Sequence, residues 1–343
     1  MAQRRKTETR CAEFDLLRLI RSRARNTSAV ALGIGDDCAL LRVRPGEEIA
    51  VTTDLSIDGR HFRLGWHPPE AIGHRTLARG LSDLAAMGAR PLAAFVSLGL
   101  PKNLVRTTGG GRSWVSRFYD GLLALADTHK TALAGGDLAE SPLALADIVL
   151  VGAVPRGRAL LRSGARPGDA IFVTGSLGGA AAGLANLADL AGRSTRGTEK
   201  APRISGRLSA LLQPHLYPRP RLAQGEWVRR RGVAAAIDLS DGLSTDLAHV
   251  CEESGVAAEL DAVTIPLSAG ATLEQALHGG EDYELLFTAQ SAQRISPSIA
   301  GVPVTRIGRI TRARRDQSRI TLLTAEGRRP LVPRGWQHFV QDV

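Results

Sequence analysis

The sequence predicts a mixed α/β (α+β) protein of two domains, and three observations carry that expectation. The chain has 343 residues, which at roughly 100 to 200 residues per domain suffices for two independent cores. Its composition is 43% hydrophobic and 23% charged with 37 glycines and 4% aromatics, the profile of a packed α/β protein and not of a disordered chain. Finally, apolar runs of strand length alternate with helix-length stretches from one end to the other.

Taken in order, the β-branched run from Ile49 to Thr53 predicts a strand ending on Asp54. Pro69 to Met87 predicts a helix opened by proline and stopped by Gly88. Ala93 to Leu100 is a nearly continuous apolar run, which suits a strand buried on both faces. A helix over Trp114 to His129, a short strand into Gly135-Gly136-Asp137 and a strong strand over Ile148 to Val154 follow. The break at Pro155-Arg156-Gly157 sets the expected boundary, with one domain over 1–155 and a second, α/β, over 156–343. Beyond it, strands are expected near Ala170 to Thr174, Ala234 to Asp238, Glu284 to Thr288 and Val302 to Ile307. Helices are expected near Leu177 to Leu190 and Ser244 to Ser254. Residues 191–206, rich in Arg, Ser, Thr and Gly, read as a surface loop.

The formal charge of +10 is confined to the ends. Residues 1–25 hold eight Lys/Arg against three acids and residues 300–343 nine against three, leaving 27 against 28 between them. A neutral body with basic ends argues against a nucleic-acid-binding protein. Cys11, Cys38 and Cys251 form no paired motif, so neither a disulfide framework nor a zinc knuckle is expected. The first residues lead into no apolar h-region, and the longest apolar stretch, Pro142 to Pro155, is interrupted by Asp147. A cytoplasmic protein without a membrane span is therefore expected.

Aspartates recur where apolar segments close: Gly33-Ile-Gly-Asp36-Asp37, Thr52-Thr53-Asp54, Leu81-Ser-Asp83, Gly135-Gly136-Asp137 and Asp238-Leu-Ser240-Asp241-Gly. Taken singly, each reads equally as a helix cap or turn residue. Taken together they place more carboxylates at strand ends than nearby cations neutralise, and buried unpaired carboxylates are costly. Metal cations are the natural partners. The oxygen-only donor set favours Mg²⁺ or Ca²⁺ over Zn²⁺, and the eight histidines show no paired ligand spacing. Mg²⁺ held by carboxylates points to phosphate chemistry. The common nucleotide motifs are nevertheless missing: there is no Gly-x-x-x-x-Gly-Lys, no His-Arg-Asp and no Asp-Phe-Gly.

In their order along the chain these segments resemble the thiamine-monophosphate kinase family of the aminoimidazole ribonucleotide synthetase-like superfamily. The resemblance spans Glu13 to Phe339. It rests on the aspartate motifs above together with Gly59-Arg-His-Phe62, Arg162-Ser-Gly-Ala165 and, most specifically, Gly279-Gly-Glu-Asp-Tyr-Glu284. It implies a two-domain fold of that superfamily, with an N-terminal sheet domain that forms a homodimer. It also implies transfer of the ATP γ-phosphoryl group to thiamine monophosphate with several Mg²⁺ ions.

By the same resemblance, Asp37, Thr52, Thr53, Asp54, Asp83, Asp137, Asp238 and Asp241 match Mg²⁺-ligand positions, with Asp54, Asp83 and Asp137 closest to the chemistry. Tyr119, Gly136, Asp137, Arg162 and Ser240 match nucleotide-contacting positions, and His61, Glu281 and Trp336 match positions that meet the acceptor. An aromatic face suits a cationic thiazolium or flat pyrimidine, and Glu281 complements the ring's charge. Three residues depart from the family pattern: Leu138 stands for a common Thr, Gly80 for a common Asn, and Arg60 for a small apolar residue.

Overall fold

A computed structural model of the chain describes residues 13–34, 38–105, 112–194, 207–314 and 318–336. The first half carries α1 (Glu13–Arg23), β1 (Val30–Leu32), β2 (Leu40–Leu41), β3 (Glu47–Ile57), α2 (Pro69–Ala86) and β4 (Arg90–Leu100). It continues with α3 (Lys102–Val105), α4 (Trp114–Thr128), β5 (Ala132–Glu140) and β6 (Leu145–Pro155). Its sheet runs β3-β6-β4-β5, with β4 and β5 parallel and the other neighbours antiparallel.

Helix α2 starts at Pro69, whose missing N–H is no loss in a first turn, and Gly88 takes the left-handed position after its end (φ +63°). Helix α4 is capped by Ser113, whose hydroxyl accepts from the Ser116 N–H. Both helices cover one face of the sheet, burying Ile72, Leu77, Leu81, Phe118 and Leu122 against Ile148 and Leu150. They cross backbone to backbone: a Cβ at Gly73 would strike the Phe118 carbonyl, and one at Gly121 the Glu70 carbonyl. Gly80 belongs to this packing too, since its Cβ would lie 2.7 Å from Leu150 Cδ2. The opposite face of the edge strand β3 stays open, with Ile49 56%, Val51 61% and Leu55 44% exposed.

The second half contains β7 (Ala170–Thr174), α5 (Gly179–Ser194), α6 (Arg207–Leu216), α7 (Leu222–Arg230), β8 (Ala235–Asp238) and α8 (Leu243–Glu253). After these come β9 (Val256–Asp261), α9 (Leu273–His278), β10 (Leu285–Ala289), β11 (Ser298–Ile299), β12 (Val302–Arg312), β13 (Ile320–Thr324) and β14 (Gly327–Pro330). The sheet order is β14-β13-β9-β12-β7-β10-β8, with β11 paired to β12. Alternation along its strands feeds two cores. Val173, Ile237 and Leu286 pack with Leu247 and Val250 of α8, while Ala236 and Phe287 pack with Val228 of α7. The halves meet where α7 lies on α2: a Cβ at Gly225 would strike the Ala85 carbonyl, and Arg229 Nε donates to the Gly88 carbonyl at 2.8 Å.

Three expectations need correction. β3 does not end on Asp54 but pairs with β6 as far as Ile57, so Asp54 lies opposite Ile148 within the strand. Gly135-Gly136-Asp137 lies inside β5, paired to β4 at Phe95, Val96 and Ser97, and is not a turn. β12 runs on to Arg312. Backbone pairing is indifferent to a polar side chain, so a change in hydrophobicity does not mark where a ladder stops. Helices α6 and α7 and strands β9, β13 and β14 were not expected from the sequence, and residues 195–206 of the expected loop lie outside the described residues. No described helix is long and apolar enough to cross a membrane.

The backbone contact between α2 and α4 sets a measurable limit. Gly121→Ala should lower the free energy of unfolding by about 1–3 kcal/mol or more, the cost of overpacking. Gly192→Ala, where nothing lies within 4 Å of the new Cβ, should be neutral or gain up to about 1 kcal/mol from helix propensity. Urea denaturation of both variants checks this, and equal stabilities would overturn the close-approach account.

Candidate functional site

A cleft of about 560 Å³ opens at the junction of the halves, lined by Asp54, Arg79 and Asp83 on one side and Asp238, Ser240, Asp241, Glu281 and Tyr283 on the other. Its walls follow from local structure. Thr52 and Asp54 share one face of β3 by strand alternation, and Thr52 Oγ1 donates to Asp83 Oδ2. Asp54 Oδ1 accepts from Arg79 Nη2 at 3.0 Å, one turn of α2 before Asp83. Asp238 ends β8, and its Oδ2 accepts from Ser82 Oγ at 2.8 Å, tying the second half to α2.

Burial raises the carboxyl pKa of both Asp83 and Asp238, and like charge adds to it: Asp238 and Asp54 act on Asp83, and Asp54 on Asp238. The surrounding hydrogen bonds and Arg162 only partly offset this. The site thus concentrates negative charge that the chain itself leaves under-compensated.

The turn after β8 is held by Asp246, whose Oδ2 accepts from the Asp241 and Gly242 N–H groups at 3.1 and 3.0 Å. The segment 279–283 is stitched to that turn: Glu281 N donates to the Ser240 carbonyl at 2.8 Å and Tyr283 N to the Leu239 carbonyl at 2.9 Å. Glu281 and Tyr283 both take left-handed backbone, φ +68° and +51°, a strained state for non-glycine residues that clusters at functional sites. Between them Asp282 accepts from Gly178 N (2.6 Å) and Ala180 N (3.0 Å) at the start of α5, and burial pushes its pKa up to about 7. Burial would raise Glu281 as well, but the Arg75 guanidinium beside it holds it down to about 2. His61 and Trp336 complete the cleft. Ile57 N donates to His61 Nδ1 at 3.1 Å, and Trp336, a residue 46% exposed, donates its main-chain N–H to the Asp241 carbonyl at 3.2 Å.

The expected site residues therefore divide. Asp54, Asp83, Asp238, Asp241, Ser240, His61, Glu281 and Trp336 gather in this cleft, with Thr52 bonded to one of them. Tyr119, Gly136 and Asp137 line a second cleft, of about 1000 Å³, together with Leu17, Arg18 and Cys38. There Gly136 is obligatory, with φ +148° and a Cβ that would strike the Val96 carbonyl. Thr53 lies on the opposite, exposed face of β3 from Thr52 and Asp54. Arg162 is exposed in a short 3₁₀ turn, close enough to Asp83 and Asp238 to act on their charge. Asp37 lies outside the described residues.

Sequence reasoning missed Arg75, Arg79, Asp246 and Asp282. The helical spacing of Arg75, Arg79 and Asp83 was the available signal for the first two. Of the departures from the family pattern, Arg60 lines the first cleft, Leu138 lines the second, and Gly80 serves helix packing.

For a hard cation the donor set fits in kind: every carboxylate of the first cleft offers oxygen, and their mutual repulsion would be relieved by positive charge. Among the described residues no group of three or more His, Cys, Asp or Glu is already drawn together to hold an ion.

Two family models match the chain: AIR synthase related protein, N-terminal domain, over residues 35–154, and AIR synthase related protein, C-terminal domain, over 166–320. The thiamine-monophosphate kinase of Salmonella typhimurium is 39% identical over 316 residues, covering 88% of this chain and 91% of that protein. The crystal structure of thiamine-monophosphate kinase from Stenotrophomonas maltophilia K279a matches with a TM-score of 0.76 at 38% identity, covering 93% of this chain and 98% of that one. The structure of AaThiL complexed with AMPPCP and TMP matches with a TM-score of 0.73 at 32% identity, covering 95% and 97%. With identity of this order sustained over nearly the whole chain, and with both halves matched in order, the chain belongs to the thiamine-monophosphate kinase family of AIR synthase related proteins.

Proposed function

We propose that the chain transfers the γ-phosphoryl group of ATP to the phosphate of thiamine monophosphate, giving thiamine diphosphate and ADP. The observation that carries this reading is the junction cleft, where under-compensated carboxylates stand beside an ionised Glu281 and an exposed Trp336 ring. In support, a relative of the same fold is solved with AMPPCP, an ATP analogue, and TMP. The chain works as two units, 1–155 and 156–343, with the cleft at their junction.

Asp54, Asp83, Asp238 and Asp241 would hold Mg²⁺ in the junction cleft with Thr52 beside them, Asp137 would meet a metal at the second cleft, and Asp37 and Thr53 match further ligand positions by the family resemblance. Bound there, Mg²⁺ would neutralise the phosphates and orient them for in-line displacement. The acceptor phosphate is already anionic, so no side chain must remove a proton from it. The chain's own task is positioning. Trp336 offers a flat face to the thiamine rings, the Glu281 carboxylate meets the cationic thiazolium, and His61 closes that side. Tyr119, Gly136 and Asp137 receive the nucleotide in the second cleft, and Arg162 and Ser240 complete its phosphate contacts. The open apolar face of β3 pairs with a second copy of the chain, and the enzyme is a cytoplasmic homodimer.

Asp54→Asn should remove nearly all activity at saturating Mg²⁺ and ATP while circular dichroism reports a native fold, and chelation by EDTA should do the same to the unaltered enzyme. Normal turnover in either case would exclude the carboxylate–metal assignment.

Acceptor choice tests the other side of the cleft. Trp336→Ala should lower kcat/KM for thiamine monophosphate several-fold to about a hundredfold, the scale of one aromatic contact plus its buried area. The KM for ATP should hardly move. Unphosphorylated thiamine, which keeps both rings but presents a neutral hydroxyl, should not be phosphorylated. Equal losses for the two substrates, or comparable rates with thiamine, would show the acceptor to be misplaced.

For the dimer, sedimentation at micromolar concentration should give about twice the 36.4 kDa chain mass. Val51→Asp should shift it to the monomer by burying a charge in the pairing face. A fully active monomeric wild type would refute that role for β3.

A further inference from the structure

Behind the acceptor side of the cleft lies a buried polar cluster that the reaction does not use directly. Arg75 of α2 and the ring pair His67 and His215 are 4%, 2% and 1% exposed. The Arg75 guanidinium reaches three groups. Nη2 donates to Glu281 Oε1 at 2.6 Å and to the His61 carbonyl at 3.1 Å, while Nη1 donates to the His215 carbonyl and faces His215 Nδ1 at 3.2 Å. His215 Nε2 lies 3.0 Å from His67 Nε2, and His67 Nδ1 lies 3.2 Å from the Arg63 carbonyl.

Two arrangements of protons satisfy this row, because His67 Nδ1 also lies 3.1 Å from the Arg63 N–H. With the His67 proton on Nδ1, that atom donates to the Arg63 carbonyl, His215 Nε2 donates to His67 Nε2, and His215 Nδ1 accepts from Arg75. With it on Nε2, His67 accepts from the Arg63 N–H and donates to His215 Nε2, and His215 Nδ1–H turns to Glu281 Oε2 at 3.7 Å. In both, the His215 ring links the Arg63 turn to the Arg75–Glu281 pair. Both rings are held neutral: burial and the Arg75 charge push His215 well below the usual histidine value and His67 to about 4. Protonation of either ring would set N–H against N–H or against the guanidinium.

We propose that His215 and His67 are positioning residues for acceptor binding, which orient the Arg75 guanidinium so that it fixes Glu281 and the His61 loop at the wall of the cleft. This rests on the proposed role of Glu281 and His61 toward thiamine monophosphate. The guanidinium is held at once by the His61 and His215 carbonyls, by Glu281 and against the His215 ring, so the seating of that ring bears on where Arg75 holds Glu281. Because His61, Arg63, His67 and Arg75 come from the first half and His215 and Glu281 from the second, the row also makes acceptor geometry depend on the seating of the two halves.

The test is a set of variants at His215. Asn places an oxygen near the Nδ1 position and keeps the acceptor for Arg75, whereas Leu fills the same space with none. His215→Leu should raise the KM for thiamine monophosphate about tenfold, with kcat and the KM for ATP within about twofold of wild type, and His215→Asn should recover most of the loss. In a Glu281→Gln background His215→Leu should add less than about twofold, because its effect runs through Glu281. Crystal structures of the ligand-free variants give a readout independent of activity: the Glu281 carboxylate should be displaced in the Leu variant and in place in the Asn variant.

A uniform fall in all constants that tracks a lowered Tm would overturn the proposal, as would Asn performing no better than Leu or an unmoved Glu281 in the Leu variant. Should His215→Leu fail to fold, the Asn variant and His67→Leu, read by the same structure and KM split, decide the matter. If wild type does not use thiamine monophosphate at all, the functional reading fails, while the position of Glu281 still tests the row.

Discussion

The arrangement of the molecule turns on the ion pair between Arg75 and Glu281, with side chains 5% and 26% exposed. One partner lies on a helix of the first half, and the other in a strained segment of the second. A carboxylate this enclosed would ordinarily drift towards its neutral form. It stays ionised because the guanidinium and its histidine support are already in place behind it. Removing either partner would leave an uncompensated charge at the junction, an outcome far more costly than the net worth of the pair.

Helix α2 is the element through which this constraint reaches the rest of the site. Arg75, Arg79, Ser82 and Asp83 recur at helical spacing and face the junction, whereas Ile72, Leu77, Leu81 and Leu84 meet the core of the first half. One helix therefore carries the clamp on Glu281, the partner of Asp54, the bond to Asp238 and one of the central carboxylates. Its backbone is pinned on two sides by glycine contacts, with α4 at Gly73 and Gly121 and with α7 at Gly225. A helix seated by main-chain contact has little freedom to slide, which suits a site whose task is positioning.

The clefts differ in what they offer. The junction cleft is built from charged groups, and its negative potential is the feature that a cation would relieve. The second lies against β4 and β5, where Gly136 lets the two strands approach closely and apolar side chains such as Phe95 and Ile34 supply surface. The open stripe of Ile49, Val51 and Leu55 belongs to the same sheet, so pairing there would bear on the second cleft.

Fold class was legible because hydrophobic periodicity acts locally. Helices α2, α4 and α8 and strands β4, β7 and β8 stand within a few residues of where the pattern puts them. The aspartate motifs were legible because unpaired carboxylates at the ends of apolar segments are costly without a cation, and Gly279-Gly-Glu-Asp-Tyr-Glu284 was legible only through its resemblance to the family. The ends of β3 and β5 were not, since ladder pairing is decided by the neighbouring strand. Nor was the separation of Tyr119, Gly136 and Asp137 from the junction cleft, or the turning of Thr53 away from Thr52 and Asp54, which depend on which face each strand presents. The row from Arg63 through His67, His215 and Arg75 to Glu281 had no sequence signal, because its members come from four separate segments spanning 219 positions of the chain. By itself the sequence determined which chemical groups the protein has and the local structure each prefers. Which of them share a proton, a charge or a cleft was decided only when the two halves closed on each other, because hydrogen bonds and desolvation act across space and not along the chain.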